Sequence, residues 1–156
     1  MTDLPHETAS PQFLEAAQRL AELMGEDTVK VARGAMLTHR GITFSLKHHG
    51  PLDPAGLVLA IELGPLPESD RAKACEALLR RNFDAPAAIA GYYAIPPDRD
   101  AIVQCMRIDL DHEPDPVGKA AFVLEQMADT REVVSEVMER AAEKARPGGK
   151  TPIDAV

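Results

Sequence analysis

Asp70-Arg71-Ala72-Lys73-Ala74-Cys75-Glu76-Ala77-Leu78-Leu79-Arg80-Arg81-Asn82-Phe83 is the stretch on which the reading of the whole chain turns. Cys75, Leu78, Leu79 and Phe83 recur at spacings of three and four, so they share one face of a helix. Asp70, Lys73, Glu76 and Arg80 fall mainly on the other. Downstream lie Ala90-Gly91-Tyr92-Tyr93-Ala94-Ile95, a Pro96-Pro97-Asp98-Arg99-Asp100 turn, and Ala101-Ile102-Val103-Gln104-Cys105-Met106-Arg107-Ile108-Asp109-Leu110. A helix that delivers the chain into a β-hairpin with a polar turn accounts for this order. The block from Ser69 to Leu110 is therefore the centre of the fold.

Upstream, Ser10 and Pro11 make a helix start, with Ser10 as N-cap and Pro11 at the first helical position. Phe13, Leu14, Ala17, Leu20, Ala21 and Met24 form an apolar stripe, and Gly25 is placed to close the helix in a left-handed cap. Ile42, Phe44 and Leu46 alternate with Thr43, Ser45 and Lys47, which predicts a half-buried strand. Gly56-Leu57-Val58-Leu59-Ala60-Ile61-Glu62-Leu63 is apolar at nearly every position. That suits a strand covered on both faces, or one whose second face meets another subunit. The short connection Pro51-Leu52-Asp53-Pro54 makes these two strands antiparallel neighbours.

After Asp111-His112-Glu113-Pro114-Asp115-Pro116 a long helix is predicted from about Val117 to Ala145. Val117, Ala121, Leu124, Met127, Ala128, Val134, Met138 and Ala141 line one side of it. The order is helix, two or three strands, helix, two strands, helix: an α+β fold with an antiparallel sheet flanked by three helices. The 156 residues suit a single domain, with a polar N-terminal tail over 1–9 and a mobile tail over 146–156.

Composition narrows function. At 45% hydrophobic the chain can build a core, filled by aliphatic residues because Trp is absent. A net charge of −8 argues against nucleic acid as the main partner, since phosphate binding needs clustered Lys and Arg. From Thr28 to Leu52 no acidic residue occurs, while Lys30, Arg33, Arg40 and Lys47 do. This stretch is either a solvated strand face or a surface that steers an acidic partner. The N-terminus has neither the basic segment nor the apolar run of a signal peptide, and no stretch approaches the ~20 apolar residues of a membrane span. Cys75 and Cys105 form no metal or redox spacing and read as small core hydrophobes in a reducing compartment, so the cytoplasm is expected.

Catalytic and ligand motifs fail on spacing. Pro147-Gly148-Gly149-Lys150-Thr151 ends like a phosphate-binding loop, but that loop's first glycine would have to sit at Lys144. Asp109, Asp111, Glu113 and Asp115 alternate like a calcium loop, yet Pro114 and Ala120 stand where a glycine and a bidentate glutamate belong. Adjacent His48 and His49 point to opposite faces of a strand, and His6, His39 and His112 lack a spaced partner. No enzyme constellation and no cofactor are expected.

The Leu78-Leu79-Arg80-Arg81-Asn82-Phe83 block, followed by a Gly-aromatic strand, a Pro-Asp turn and a strand, resembles the small type III secretion chaperones of the Tir chaperone family. The resemblance runs from about Phe13 to Ala142. It implies the order helix-strand-strand-strand-helix-strand-strand-helix and an acidic cytoplasmic homodimer, which binds the N-terminal segment of a secreted effector without catalysis or membrane insertion. It also implies a dimer interface at Leu78, Leu79, Phe83, Tyr92 and Tyr93, and an effector-binding surface at Phe13, Leu14, Leu20, Ile42 and Phe44. Phe13 and Leu14 are expected to be partly exposed, while Leu20, Ile42 and Phe44 fit a core equally well. The basic stretch and the Gly-rich tail are not features of that family. An adaptor or regulatory module of the same fold, binding a folded partner, is the alternative.

Overall fold

A computed structural model describes residues 9–84 and 91–144, with side chains described as far as Thr130. Residues 1–8, Ala90, the tail 146–156 with Lys150 and Thr151, and the side chains of Val134, Met138 and Ala141 lie outside the described residues.

Helix α1 spans Pro11–Met24, and its two ends follow from local chemistry. Ser10 Oγ accepts from Phe13 N at 3.1 Å, Pro11 takes the first position, and Gly25 closes the helix at φ 71°. Next comes a short helix absent from the sequence reading, α2 at Thr28–Ala32. Asp27 caps it by accepting from Val29 N and Lys30 N. Five residues are too few for a periodic signal, so only the cap could have announced it.

Among the described residues five strands follow the order β1-β2-β3-β5-β4 in one antiparallel sheet: β1 Leu37–His39, β2 Ile42–Lys47, β3 Gly56–Pro65, β4 Tyr92–Ala94 and β5 Ala101–Asp109. Arg40 and Gly41 turn β1 into β2 with positive φ at both positions, the twist that a two-residue hairpin requires. Helix α3, Arg71–Asp84, links β3 to the hairpin β4–β5, and α4, Pro116–Lys144, follows the sheet. Asp115 caps α4 by accepting from Gly118 N at 3.0 Å. The fold is α+β with an antiparallel sheet, as expected, and among the described residues α2 changes the order to α-α-β-β-β-α-β-β-α.

Register assigns the faces. Leu57, Leu59 and Ile61 of β3 lie beside Phe44, Leu46 and Ile108 on one face, under α1, α2 and α4. Phe13, Leu20, Val31, Val117, Ala120, Leu124 and Ala128 complete that core. Val58 and Ala60 face the other way, into a smaller cluster with Val103, Cys105 and Ala94. Thus β3 is buried through both faces by this chain alone over Gly56–Ile61.

The buried core overturns the expectation that Phe13 is partly exposed. Its side chain is 0% exposed, and its ring packs on His48 with centroids 4.8 Å apart. Leu20, Ile42 and Phe44 are buried with it, and only Leu14 keeps partial exposure. The physical reason is the α1 stripe itself: a sheet face lined with Phe44, Leu46 and Leu59 must be covered, and α1 is the helix that covers it. Cys105 is a core residue, but Cys75 is only half-buried.

Candidate functional site

Among the described residues, α3 and the α1–α4 region are two of the places where large apolar side chains stay exposed. The first is α3. Its fourteen residues include no buried one, and Leu79 and Phe83 are 69% and 91% exposed. Leu78 and Cys75 on the same face are half-buried.

What holds α3 is polar and sits at its ends. Arg71 donates twice to the Asp100 carboxylate, at 2.7 and 2.9 Å, and pulls that carboxyl below its ordinary range. At the other end, Asn82 Oδ1 accepts from Tyr93 N at 2.7 Å, and Asn82 Nδ2 donates to Tyr93 O at 3.0 Å. One side-chain amide thereby occupies both hydrogen-bonding groups of Tyr93 on β4, the edge strand of the sheet.

Gly91 makes this approach possible. It adopts φ 71°, and a Cβ there would sit 2.0 Å from the carbonyl oxygen of Cys105. Glycine is the residue that tolerates both. The Gly-aromatic and Asn-Phe signatures of the sequence are therefore parts of one joint. Tyr92 beside it is 37% exposed and Tyr93 half-buried, so Leu78, Leu79, Phe83, Tyr92 and Tyr93 all lie in the α3–β4 part of the molecule.

The second surface is a cleft of about 270 Å³ between α1 and α4, lined by Leu20, Leu23, Met24, His39, Ala121, Leu124 and Glu125. Leu23 of this lining is 65% exposed, and Phe122, which follows Ala121 on α4 without lining the cleft, is 64% exposed. Sequence reasoning missed both. The signal was there to read, because each is a large hydrophobe standing off its helix's core-facing stripe.

A charged clamp borders the cleft. Glu125 accepts from Arg40 Nη1 and is hydrogen-bonded to His39 Nε2, and Asp129 accepts from Arg40 Nη2 at 2.9 Å. His39 first and Arg40 second hold the Glu125 carboxyl below its ordinary range. The clamp fastens the β1–β2 turn onto α4.

The acid-free stretch from Thr28 to Leu52 does not make a single basic face. Arg40 turns to α4 on the helical side, whereas register puts Lys47 beside Val58 on the opposite face of the sheet. The acidic corner is equally occupied: Asp109 bonds Asp111 N and His112, Asp111 accepts from Gln12, Glu113 pairs with Lys119, and Asp115 caps α4. His48 Nδ1 accepts from Gly50 N, which with the Phe13 contact gives that ring a structural place.

Among the described residues no group of three or more His, Cys, Asp or Glu is arranged to hold a metal ion, and no helix is long and apolar enough to cross a membrane. Compared with known proteins, the chain matches no family model and no curated protein.

Proposed function

We propose that this chain is a cytoplasmic, homodimeric chaperone that works as the Tir-type secretion chaperones do. It holds the N-terminal segment of a secreted effector in an extended, export-competent form and performs no catalysis. The observation that carries the reading is α3: a fourteen-residue amphipathic helix fastened at both ends and covering no core. A monomer seldom leaves so much contiguous apolar surface in water. Burying Leu79 and Phe83 of both protomers contributes on the order of 6–12 kcal/mol, from ~1.5–3 kcal/mol for each large side chain. That is the scale of the cost of associating two molecules, and Leu78, Cys75 and Tyr92 add to it.

The effector would lie on the α1–α4 cleft, with Leu23 and Phe122 as its anchors in place of the buried Phe13, Leu20, Ile42 and Phe44. A cleft lined by apolar side chains and bordered by His39 and Glu125 suits an apolar side chain of an extended segment whose backbone runs past polar groups. Dimer and client surfaces would then be separate.

The test combines mass from light scattering with capture of effector N-terminal segments from the native cell. The wild type should have the mass of a dimer and retain its client. Phe83→Glu should halve the mass, and Leu23→Glu with Phe122→Glu should release the client while the dimer persists. A wild-type monomer that captures no secreted protein sinks the proposal.

A further inference from the structure

The sheet face turned away from α1 and α4 contains a trench with a chemistry of its own. Register places Ser45, Ala60, Cys105 and Tyr92 side by side across β2, β3, β5 and β4. Three strand spacings make this row roughly 14 Å long. Its middle members are small, while the rows on either side carry Lys47, Val58 and Arg107, and Glu62, Val103 and Ala94. A row of small side chains between larger ones is a depression. The segment Ile95–Arg99 and Met36 stand over it, and the resulting cleft measures about 330 Å³. Small-molecule sites begin at about that size.

Its polar groups are few and unevenly satisfied. Tyr92 and Cys105 are direct partners across β4 and β5, and burial raises the pKa of both side chains. Arg99 is engaged by Glu62 and Asp98, so its charge is balanced. Ser45 lines the cleft at 8% exposure, and its hydroxyl is reached by solvent there rather than buried without a partner. Lys47, two residues along the same strand and on the same face, makes no ion pair among the described residues. The cleft thus has apolar walls from Met36, Ile95, Pro96 and Val103, and at one end the exposed Lys47 ammonium beside the Ser45 hydroxyl.

We propose that this trench binds a small carboxylic acid with an unbranched apolar body. The carboxylate would sit on Lys47 and the Ser45 hydroxyl, and the chain would lie over Ala60 and Cys105 toward Tyr92. A monoanion pairs with Lys47, whereas a dianion also meets the Glu62 and Asp98 carboxylates, so a monoanion fits the charges present. The site is on the opposite side of the sheet from the α1–α4 cleft and does not depend on the chaperone reading.

Octanoate is the probe and octan-1-ol its neutral counterpart, each titrated into the full chain and followed by amide NMR. Octanoate should saturably shift Ser45, Ala60, Cys105 and Tyr92, and bind at least about tenfold more tightly than the alcohol, as a charge-assisted hydrogen bond implies. Lys47→Met, at an exposed position that does not threaten folding, should erase that preference. Ala60→Leu, which fills the trench, should abolish binding in a chain whose spectrum remains folded. Equal affinity for acid and alcohol overturns the proposal. So do shifts confined to Leu23 and Phe122 or to Leu79 and Phe83, which mean adsorption on exposed apolar patches. Shifts of the trench amides on simple dilution without octanoate would also overturn it, because a second copy then occupies the site.

Discussion

Helices α1 and α3 are each fourteen residues long, and each carries an apolar stripe at three- and four-residue spacing. Yet α1 buries Phe13, Ala16, Ala17, Leu20 and Ala21, while α3 buries nothing. Amphipathicity therefore tells that a helix has a face to hide, and leaves open which molecule hides it. For α1 the cover is the sheet of its own chain. In α3 polar anchors do the positioning, so the apolar face stays available for something outside the chain.

The sharpest way to break this contrast is to charge the two helices in turn. Phe13→Glu removes a fully buried ring and puts a carboxylate among Phe44, Leu20 and Leu46. The loss should be at least about 4 kcal/mol, enough to unfold a marginal domain, read by denaturant or thermal melting. A Phe13→Glu chain that melts like wild type would show that α1 is not core.

Gly91→Ala comes next, since a methyl group would meet the Cys105 carbonyl and hold a strained positive φ. About 2–3 kcal/mol of lost stability is expected in the same melts, with β4 amides exchanging faster than those of β3. Asn82→Ala should cost less, about 1–2 kcal/mol for two hydrogen bonds to Tyr93, and should loosen α3 at its C-terminal end. If Asn82→Ala leaves hydrogen exchange at Tyr93 unchanged, the amide is not what fixes α3.

A pH series separates the halves more gently. Burial, and secondarily the neighbouring His49, lowers the pKa of His48 from its ordinary 6.5, so the folded state favours the neutral ring on Phe13. The unfolded chain then binds the proton more readily, and stability should be full above about pH 6.5 and fall as pH drops through the folded pKa. His48→Gln should flatten the melting temperature over that window. Further loss at lower pH should follow Asp53, whose carboxyl is held down by Arg107, and Glu125, held down by His39 and Arg40. The smallest effect is expected for Phe83→Glu measured on the protomer's own fold: within about 0.5 kcal/mol, because that side chain touches no core.

Sequence alone settled what depends on near neighbours. The Ser10-Pro11 start and Gly25 stop of α1 were legible because caps are local chemistry. So was the antiparallel pairing of Ile42–Lys47 with Gly56–Pro65, since alternation and a short connection leave little choice. The five-residue α2 escaped because its length is below any period, and the role of Asn82 because its bond to Tyr93 joins residues eleven apart, a separation no helix or strand period measures.

Tertiary structure alone decided which apolar residues are spent. The same stripe that places Phe13 and Leu20 on one face of α1 serves a core or a client equally until the sheet is set against it. That Leu23 borders a cleft between α1 and α4 could be told only once the two helices lay side by side. Burial is a relation between distant parts of the chain, and hydrophobicity is a property of one residue. The sequence carries the second, and folding turns it into the first.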